Sequence, residues 1–577
     1  MTIKTTDELN KLREQSKTSL REQGEVSGEQ IEILIGMATC GISSGARKTL
    51  NTFANELKNQ NINNAKITTV GCIGYCHSEP TVQINMPNQK SVFYGNVKEN
   101  NVNEIIENHI KNGKPVENLV LNIDFDRYLR SENNKDNKQF YKKQYRIALR
   151  NCGFINPEDI YEYISLGGYE ALGKVLTKMS RNDVIEEIKK SGLRGRGGGG
   201  FPTGLKWEIT KKQENEKKYI ICNADEGDPG AFMDRSILEG DPQSVIEAMA
   251  IGGYAIGAKK GIIYIRAEYP LAIARLTTAI KQARELGLLG DNIFGTTFSF
   301  DISLKYGAGA FVCGEETALI NSCEGKRGEP NYKPPYPAEE GFWGYPTCVN
   351  NVETFANIVA IITEGASWFS SIGTEKSKGT KVFALAGKVN NVGLAEIPFG
   401  VTFREIIYGI GGGIQGGHKF KAVQTGGPSG GVITEKDLDT PIDYENLIAI
   451  GSMMGSGGMI VMDERDNMVN IAKFYMEFSM DESCGRCTSC RIGTKRLYEL
   501  LTKITSRKAT MADLDALKQL AYLVKEGSLC GLGQTAPNPV ISTLKHFWDE
   551  YLDFIKDIDT PRGEGRYEAK NKIGVKS

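Results

Sequence analysis

Hydrophobic and polar positions divide the chain into stretches of different period. Near the amino terminus the apolar run IEILIG at 31–36 predicts a short strand, followed by a helix to about 59 and a second strand, KITTVG, at 66–71. TVQIN at 81–85 and SVFYG at 91–95 read as a hairpin joined at 86–90, and a helix is expected over 101–111. This alternation predicts a small α/β domain. Further on, 182–190 has an amphipathic helical pattern, and KYIIC at 218–222, KKGIIYIR at 259–266 and FSFDISLKYG at 298–307 read as strands. Between the last two, 271–287 repeats apolar residues at i, i+3 and i+4, the spacing of a helix. The pattern changes at 381, where KVFALAGKV, GIGGGIQGG and KFKAVQTGGPSGGVI predict a small β unit up to about 450. From 469 it turns helical, with helices expected between 495 and 524. The polar residues 1–30 predict one helix, and the hydrophilic run from 114 to 139 a linker.

One stretch fits neither period. Residues 191–207, SGLRGRGGGGFPTGLKW, hold seven glycines and one proline in seventeen positions, so they form a loop. Gly195, Gly197 and Gly200 spell G-x-G-x-x-G, but a helix precedes them where a dinucleotide fingerprint needs a strand, and Lys206 is followed by Trp207 where a P-loop needs Ser or Thr. What remains is a backbone flat enough for a planar ligand, with Arg196 and Lys206 available for phosphate and Phe201 for stacking, or else a structural connection. The acidic turn NADEGDPG is either a solvated loop or part of the same site. Gly314, Glu315 and Glu316 open a helix whose free amides suit an anionic group.

Composition narrows the class. The 577 residues suffice for several cores, and 70 basic against 71 acidic side chains advertise no nucleic acid and no anionic membrane surface. No apolar run approaches the ~18 residues of a membrane helix, and MTIKTTDELNKLREQ lacks a signal-peptide core, so a cytoplasmic protein is expected. The twelve cysteines cluster as metal ligands do in a reducing compartment. Cys484, Cys487 and Cys490 form C-x2-C-x2-C, and Cys530 follows forty residues later. Structural zinc more often pairs two C-x2-C knuckles; three close thiolates and one remote thiolate wrap a cubane. Arg486 and Arg491 flank these thiolates and would offset a cluster's charge. Cys40, Cys72 and Cys76 fall in loops next to predicted strands. Cys222, Cys313, Cys323 and Cys348 share no ligand spacing and read as buried small hydrophobes.

From about 141 to about 551 the sequence resembles the FMN- and NADH-binding flavoprotein subunit of respiratory complex I. The resemblance extends to its soluble relatives, the diaphorase subunits of NAD-linked formate dehydrogenases and of electron-bifurcating [FeFe]-hydrogenases. The amino-terminal region resembles a thioredoxin-like [2Fe-2S] ferredoxin domain, whose pattern is C-x4-C followed by C-x3-C. Cys72 and Cys76 match the second pair and Cys40 alone represents the first, since neither Ile35 nor Gly45 is cysteine. Either this domain binds no cluster, or a fourth ligand comes from Ser43, Ser44, His77 or elsewhere. The resemblance implies an α/β multidomain chain: a thioredoxin-like domain over 1–125, a linker over 126–140, a Rossmann-like FMN/NADH domain over 141–375, a β-grasp domain over 376–460, a helical [4Fe-4S] domain over 461–560 and a polar tail over 561–577.

It also implies residue roles. Gly195, Arg196, Gly197, Gly198, Phe201 and Lys206 would form the flavin loop, and Asn223, Asp225 and Glu226 would lie along the FMN ring and ribityl chain. Asp228 would face the NADH ribose, where its charge disfavours a 2'-phosphate. Gly314, Glu315 and Glu316 would sit beside the flavin, Tyr336 would clamp NADH, and Asn350, Asn351 and Thr354 would hold the FMN phosphate end. Cys484, Cys487, Cys490 and Cys530 would hold [4Fe-4S], and Cys40, Cys72 and Cys76 a [2Fe-2S] cluster. The implied activity is hydride transfer between NAD(H) and FMN, then single-electron transfer through [4Fe-4S], with no catalytic side chain required because the cofactors carry the chemistry. With no second substrate site in the sequence, one subunit of a hetero-oligomer is expected. Its partners would be a thioredoxin-like [2Fe-2S] subunit and an [FeFe]-hydrogenase catalytic subunit, or a formate dehydrogenase. A noncatalytic scaffold is the contrasting expectation.

Overall fold

The computed structural model describes residues 2–19, 30–121, 123 and 143–555; the expected linker 126–140 and tail 561–577 lie outside them. Three sheets and a helical bundle make up the fold.

The first sheet has the order β2-β1-β3-β4-β5, with β1 Ile31–Gly36, β2 Ala65–Val70, β3 Val82–Asn85, β4 Val92–Tyr94 and β5 Val120–Leu121. β1 pairs on both sides and is buried throughout, which is why its sequence is an unbroken apolar run. Helix Ala46–Asn59 packs Phe53 and Leu57 onto this sheet. The first helix, Thr6–Ser19, does not belong here. Its Leu9 and the preceding Ile3 join the core of the second body, and Ile3 N donates to Leu286 O at 2.8 Å. The expected 1–125 unit therefore loses its first segment to the larger core, because Ile3 and, on the otherwise polar helix, Leu9 and Leu12 find their burial there.

The second sheet is wholly parallel, in the order β8-β7-β6-β9, with β6 Tyr219–Ala224, β7 Lys260–Arg266, β8 Asp301–Gly307 and β9 Thr347–Asn351. Helices Pro242–Ile256, Pro270–Glu285 and Val352–Glu364 cover it. From β6 the chain steps outward to β7 and β8, then returns to place β9 on the other side of β6. The chain thus leaves β6 on one side and comes back to β9 on the other, so the carboxyl ends of these two strands form the switch point, the crevice at which open α/β sheets bind ligands.

The third sheet is mixed, in the order β11-β10-β14-β12-β13, with β10 Thr380–Gly387, β11 Gly393–Pro398, β12 Phe420–Thr425, β13 Val432–Ile433 and β14 Gly458–Asp463. Its core takes in Ile73, Tyr75 and Phe93 from the first body. Helices Met468–Asp481, Thr488–Thr505, Met511–Gly527 and Asn538–His546 form the bundle, whose core includes Leu497, Leu501, Leu514 and Leu517. Among the described residues, no helix is long and apolar enough to cross a membrane.

Candidate functional site

The glycine loop lies at the switch-point crevice. Its base is closed by a bridge between Arg194 and Pro202 and by Gly195 N donating to Phe201 O at 2.9 Å. It is fastened on two sides: Arg196 N donates to Thr354 Oγ1 at 2.8 Å on helix Val352–Glu364 behind β9, and Tyr444 OH, from helix Tyr444–Ala449 of the third body, donates to Gly195 O at 2.7 Å. Only glycine permits this seat. Gly198 has φ +122°, and a Cβ there would stand 3.0 Å from the backbone of Gly455. A Cβ at Gly197 would stand 3.0 Å from the Asn351 side chain.

Arg196 departs from expectation. The residue is 1% exposed, and its guanidinium donates to Thr380 O, Arg194 O and Lys378 O at 2.7–2.9 Å while lying over the Phe399 ring. These carbonyls consume the fork, so it is a structural clasp and is not available to phosphate. Lys206 reaches Val349 O at 3.2 Å and Glu316 Oε2 at 3.0 Å, with its ammonium 5.9 Å from the centroid of the exposed Phe201 ring. Asn350, buried at the end of β9, is held by Trp207 Nε1 at 2.9 Å.

On the other lip, Asn223 Nδ2 donates to Gly314 O at 2.9 Å, and Asn223 Oδ1 accepts from Asp225 N at 3.0 Å. Asp225 is buried, and neither carboxylate oxygen has a partner among the described residues. Burial pushes its carboxyl up to about 7, with Arg266 pulling back and Glu268 and Glu482 adding to the rise. Glu226 is occupied in capping helix Met233–Gly240, accepting from the amides of Asp234 and Arg235. Asp228 accepts from the Ser456 hydroxyl and packs on Gly427 in the third body; burial raises its carboxyl to about 6, with Ser456 pulling back.

Cys484, Cys487, Cys490 and Cys530 converge from the start of helix Thr488–Thr505 and the loop before Gly531–Thr535 on one cavity, also lined by Val312 and Leu532. Among the described residues the only three side chains whose metal-donor atoms all lie within 4.8 Å of one another are Cys40, Cys72 and Cys76, so these four sulfurs spread wider. Four thiols gathered on one cavity suit a cubane. Burial pushes the Cys490 thiol up to about 11, with Ser483 pulling back. Arg486 donates to Pro330 O and Arg491 to Gly485 O, so both tie the ligand loop in place.

Residues 188–360 match the family described as the Nuo51 FMN-binding domain, and 470–554 the NADH-ubiquinone oxidoreductase-F iron-sulfur binding region. The chain is 66% identical to NADP-reducing hydrogenase subunit HndC of Solidesulfovibrio fructosivorans over 420 residues, 73% of this chain and 85% of that one. It is 43% identical to a subunit of the NADH-quinone oxidoreductase of Escherichia coli (strain K12), covering 68% of this chain and 89% of that one. The chain belongs to the family of NADH-oxidising flavoprotein subunits. Among solved structures it resembles a chain of an NAD+-reducing [NiFe]-hydrogenase in the air-oxidized state, with a TM-score of 0.63 at 27% identity over 96% of this chain and 89% of that one.

Membership in this family makes the chain an FMN-binding, iron–sulfur oxidoreductase subunit. The residues present fit both groups: the orphaned Asp225 oxygens and the glycine seat fit a ligand rich in hydroxyl and ring N–H donors, and the four-sulfur cavity fits a cubane. Two expected anion sites differ. Glu315 caps its own helix, Glu316–Cys323, accepting from Thr317 N and Ala318 N, and Asn351 Oδ1 caps Val352–Glu364, accepting from Glu353 N and Thr354 N. These amides are taken by the chain itself, and the sequence signal for it was present: Glu315 and Asn351 stand one residue ahead of their helices, where side chains cap. Glu316 sits between Lys206 and Lys333, which outweigh burial and lower its carboxyl. Tyr336 is half exposed in the loop beyond Lys333.

The amino-terminal cysteines of this flavoprotein also meet. The Cys72 and Cys76 sulfurs are 3.9 Å apart, and Cys40 lies within 4.8 Å of both. Their loops dock onto the larger body: Thr39 binds Glu239 at the end of helix Met233–Gly240, Arg275 donates to Met37 O, and Leu394 N donates to Gly74 O. Of the expected fourth ligands, Ser43 and Ser44 are exposed and His77 Nδ1 lies 3.4 Å from Val392 O. Gly45, four residues beyond Cys40 in the C-x4-C pattern, has φ +107°, a backbone that suits no side chain. The group facing the sulfurs is Glu79, which sequence reasoning missed; burial and then Cys40 push its carboxyl up to about 8.

Proposed function

We propose that this subunit is the diaphorase of a hydrogenase assembly, with FMN seated on the Gly195–Phe201 loop between β6 and β9, a [4Fe-4S] cluster on Cys484, Cys487, Cys490 and Cys530, and a [2Fe-2S] cluster at Cys40, Cys72 and Cys76. The observation that carries it is the turn Phe311–Gly314, which walls both main sites. Gly314 faces Asp225 and accepts from Asn223, while Val312 lines the four-cysteine cavity. One four-residue turn thus borders both proposed centres, which supports reading them as neighbours in a single electron path. FMN, when bound, supplies the conversion between the two-electron chemistry of NADH and the one-electron chemistry of iron–sulfur carriers. The protein's part is to bind and orient. Asn223 holds the turn against the end of β6, the buried Asp225 carboxyl offers acceptors with no competing partner, and Arg196 clasps the loop.

The hydrogenase setting is supported by the HndC relative and by the likeness to the [NiFe]-hydrogenase chain. An [FeFe]-hydrogenase catalytic subunit and a separate thioredoxin-like [2Fe-2S] subunit are the partners we favour, in the cytoplasm. The first body is read as thioredoxin-like, the parallel body as Rossmann-like and the third as β-grasp. Purified anaerobically, the chain should carry FMN and about four or six irons and reduce an artificial dye with NADH. A flavin-free chain with no NADH-dependent bleaching would instead be a scaffold.

Cofactor preference is tested at Asp228. The name of the HndC relative specifies NADP, whereas a carboxylate held at the crevice by Ser456 opposes a 2'-phosphate by like-charge repulsion. The chain should prefer NADH, and Asp228→Ser should narrow the NADH-over-NADPH ratio of kcat/KM about tenfold, ~1.4 kcal/mol. An unchanged ratio would place the ribose elsewhere.

A further inference from the structure

We propose that Glu79 is the fourth ligand of the amino-terminal cluster, its Oε1 taking the place of a thiolate beside Cys40. The inference rests on the reading above that Cys40, Cys72 and Cys76 hold two irons. The donors fall into two pairs: Cys72 and Cys76 with sulfurs 3.9 Å apart, and Cys40 with its sulfur 3.8 Å from Glu79 Oε1. Each separation is close to the roughly 3.8 Å edge of a tetrahedral metal site with bonds of about 2.3 Å. Cys40 also lies within 4.8 Å of both other sulfurs, so the three thiols and Oε1 gather as one set of four donors, the number that a two-iron cluster takes from its protein.

Glu79 is prepared for this task. Its Oε2 accepts from Thr81 N at 2.8 Å and from Thr81 Oγ1 at 3.2 Å, which fixes the carboxylate and leaves Oε1 turned to Cys40. Metal-binding carboxylates are oriented in this way by their neighbours. Two glycines leave room around it: a Cβ at Gly36 would meet Thr81 Oγ1 at 2.6 Å and Oε2 at 3.2 Å, and one at Gly41 would meet Gly36 O at 2.4 Å and Oε2 at 3.2 Å. The carboxylate is buried, 6% exposed, and its described partners, Thr81 and the Cys40 thiol, include no cation.

The test uses the full chain, purified anaerobically with iron, sulfide and flavin counted and the EPR spectrum of the dithionite-reduced protein recorded. Wild type should hold about six irons, and Glu79→Ala about four, with flavin unchanged as the control for folding. Glu79→Cys should restore about six with altered g values, since a thiolate replaces an oxygen ligand. If Glu79→Ala keeps six irons and an unchanged spectrum, or if Glu79→Cys loses two irons as Glu79→Ala does, Glu79 is not a ligand. A wild-type chain with only about four irons overturns the underlying cluster reading instead, and does so before any variant is made.

Discussion

Asp225 sets its surroundings against its chemistry. Buried on the lip of the crevice, it has two oxygens without described partners, and burial holds its carboxyl near 7 against an ordinary value of about 3.9. A carboxyl raised in the folded state contributes its full stability below the unfolded value, and that contribution is lost as pH rises through about 7. Asp225→Asn removes this titration. In flavin-free protein the variant should therefore match or trail wild type at pH 4, and above pH 7 exceed it by on the order of a few kcal/mol. Denaturant unfolding at the two ends of this range decides it; a variant with the same advantage at both would show that burial does not govern the carboxyl. Arg196 makes the complementary point. Its charge suggested phosphate, but three backbone carbonyls had first claim on its fork, and nothing local in GRGGGG announces where those carbonyls lie.

Among the elements, the glycine loop is the one whose backbone leaves least choice. Gly198 needs both a left-handed φ of +122° and the 3.0 Å approach to Gly455, so Gly198→Ala must either strain the loop by about 1–3 kcal/mol or lift it from the third body. The flavin-to-iron ratio of the purified variant should fall severalfold while its four-cysteine centre stays loaded; an unchanged ratio would mean that FMN does not rest on this loop. Elements of this kind were legible because their signals are local. Apolar runs gave β1, β6 and β7, the i, i+3, i+4 repeat gave Pro270–Glu285, and glycine density gave the loop. Thr6–Ser19 was legible as a helix but not as a partner of the parallel body, since Ile3 and Leu9 carry no mark of which core will bury them. The helix caps at Glu315 and Asn351 were masked by their resemblance to ligand positions, and Glu79 by a cysteine pattern that directs attention to thiols.

Across the whole molecule, what the sequence conceals is how separately legible bodies lock together around the crevice. The tightest lock is an ion pair that no motif indicates. Lys381 on β10, 0% exposed, meets Glu353 on Val352–Glu364, 1% exposed, and also donates to Val382 O at 2.9 Å and Ser456 O at 2.6 Å. Glu353 Oε1 accepts in turn from Val382 N at 2.8 Å. The helix that receives the glycine loop is thus bonded to the sheet carrying Ser456, the donor to Asp228, so the pair sets the geometry of both lips. Desolvation makes such a pair a weak source of net stability but a costly one to break, because the survivor stays buried and charged. Lys381→Met alone should destabilise the chain by about 3–5 kcal/mol, whereas Lys381→Met with Glu353→Gln, which removes both charges, should recover much of that loss. Denaturant midpoints of the two variants and of Glu353→Gln close a double-mutant cycle with a coupling energy of about 0.5–3 kcal/mol. The KM for NADH should follow the same order, worst in the single lysine variant, since the Ser456 carbonyl loses its tether next to Asp228. Additive midpoints with an unmoved KM would mean that the two bodies are joined by apolar packing alone and that the seam does not position the nucleotide.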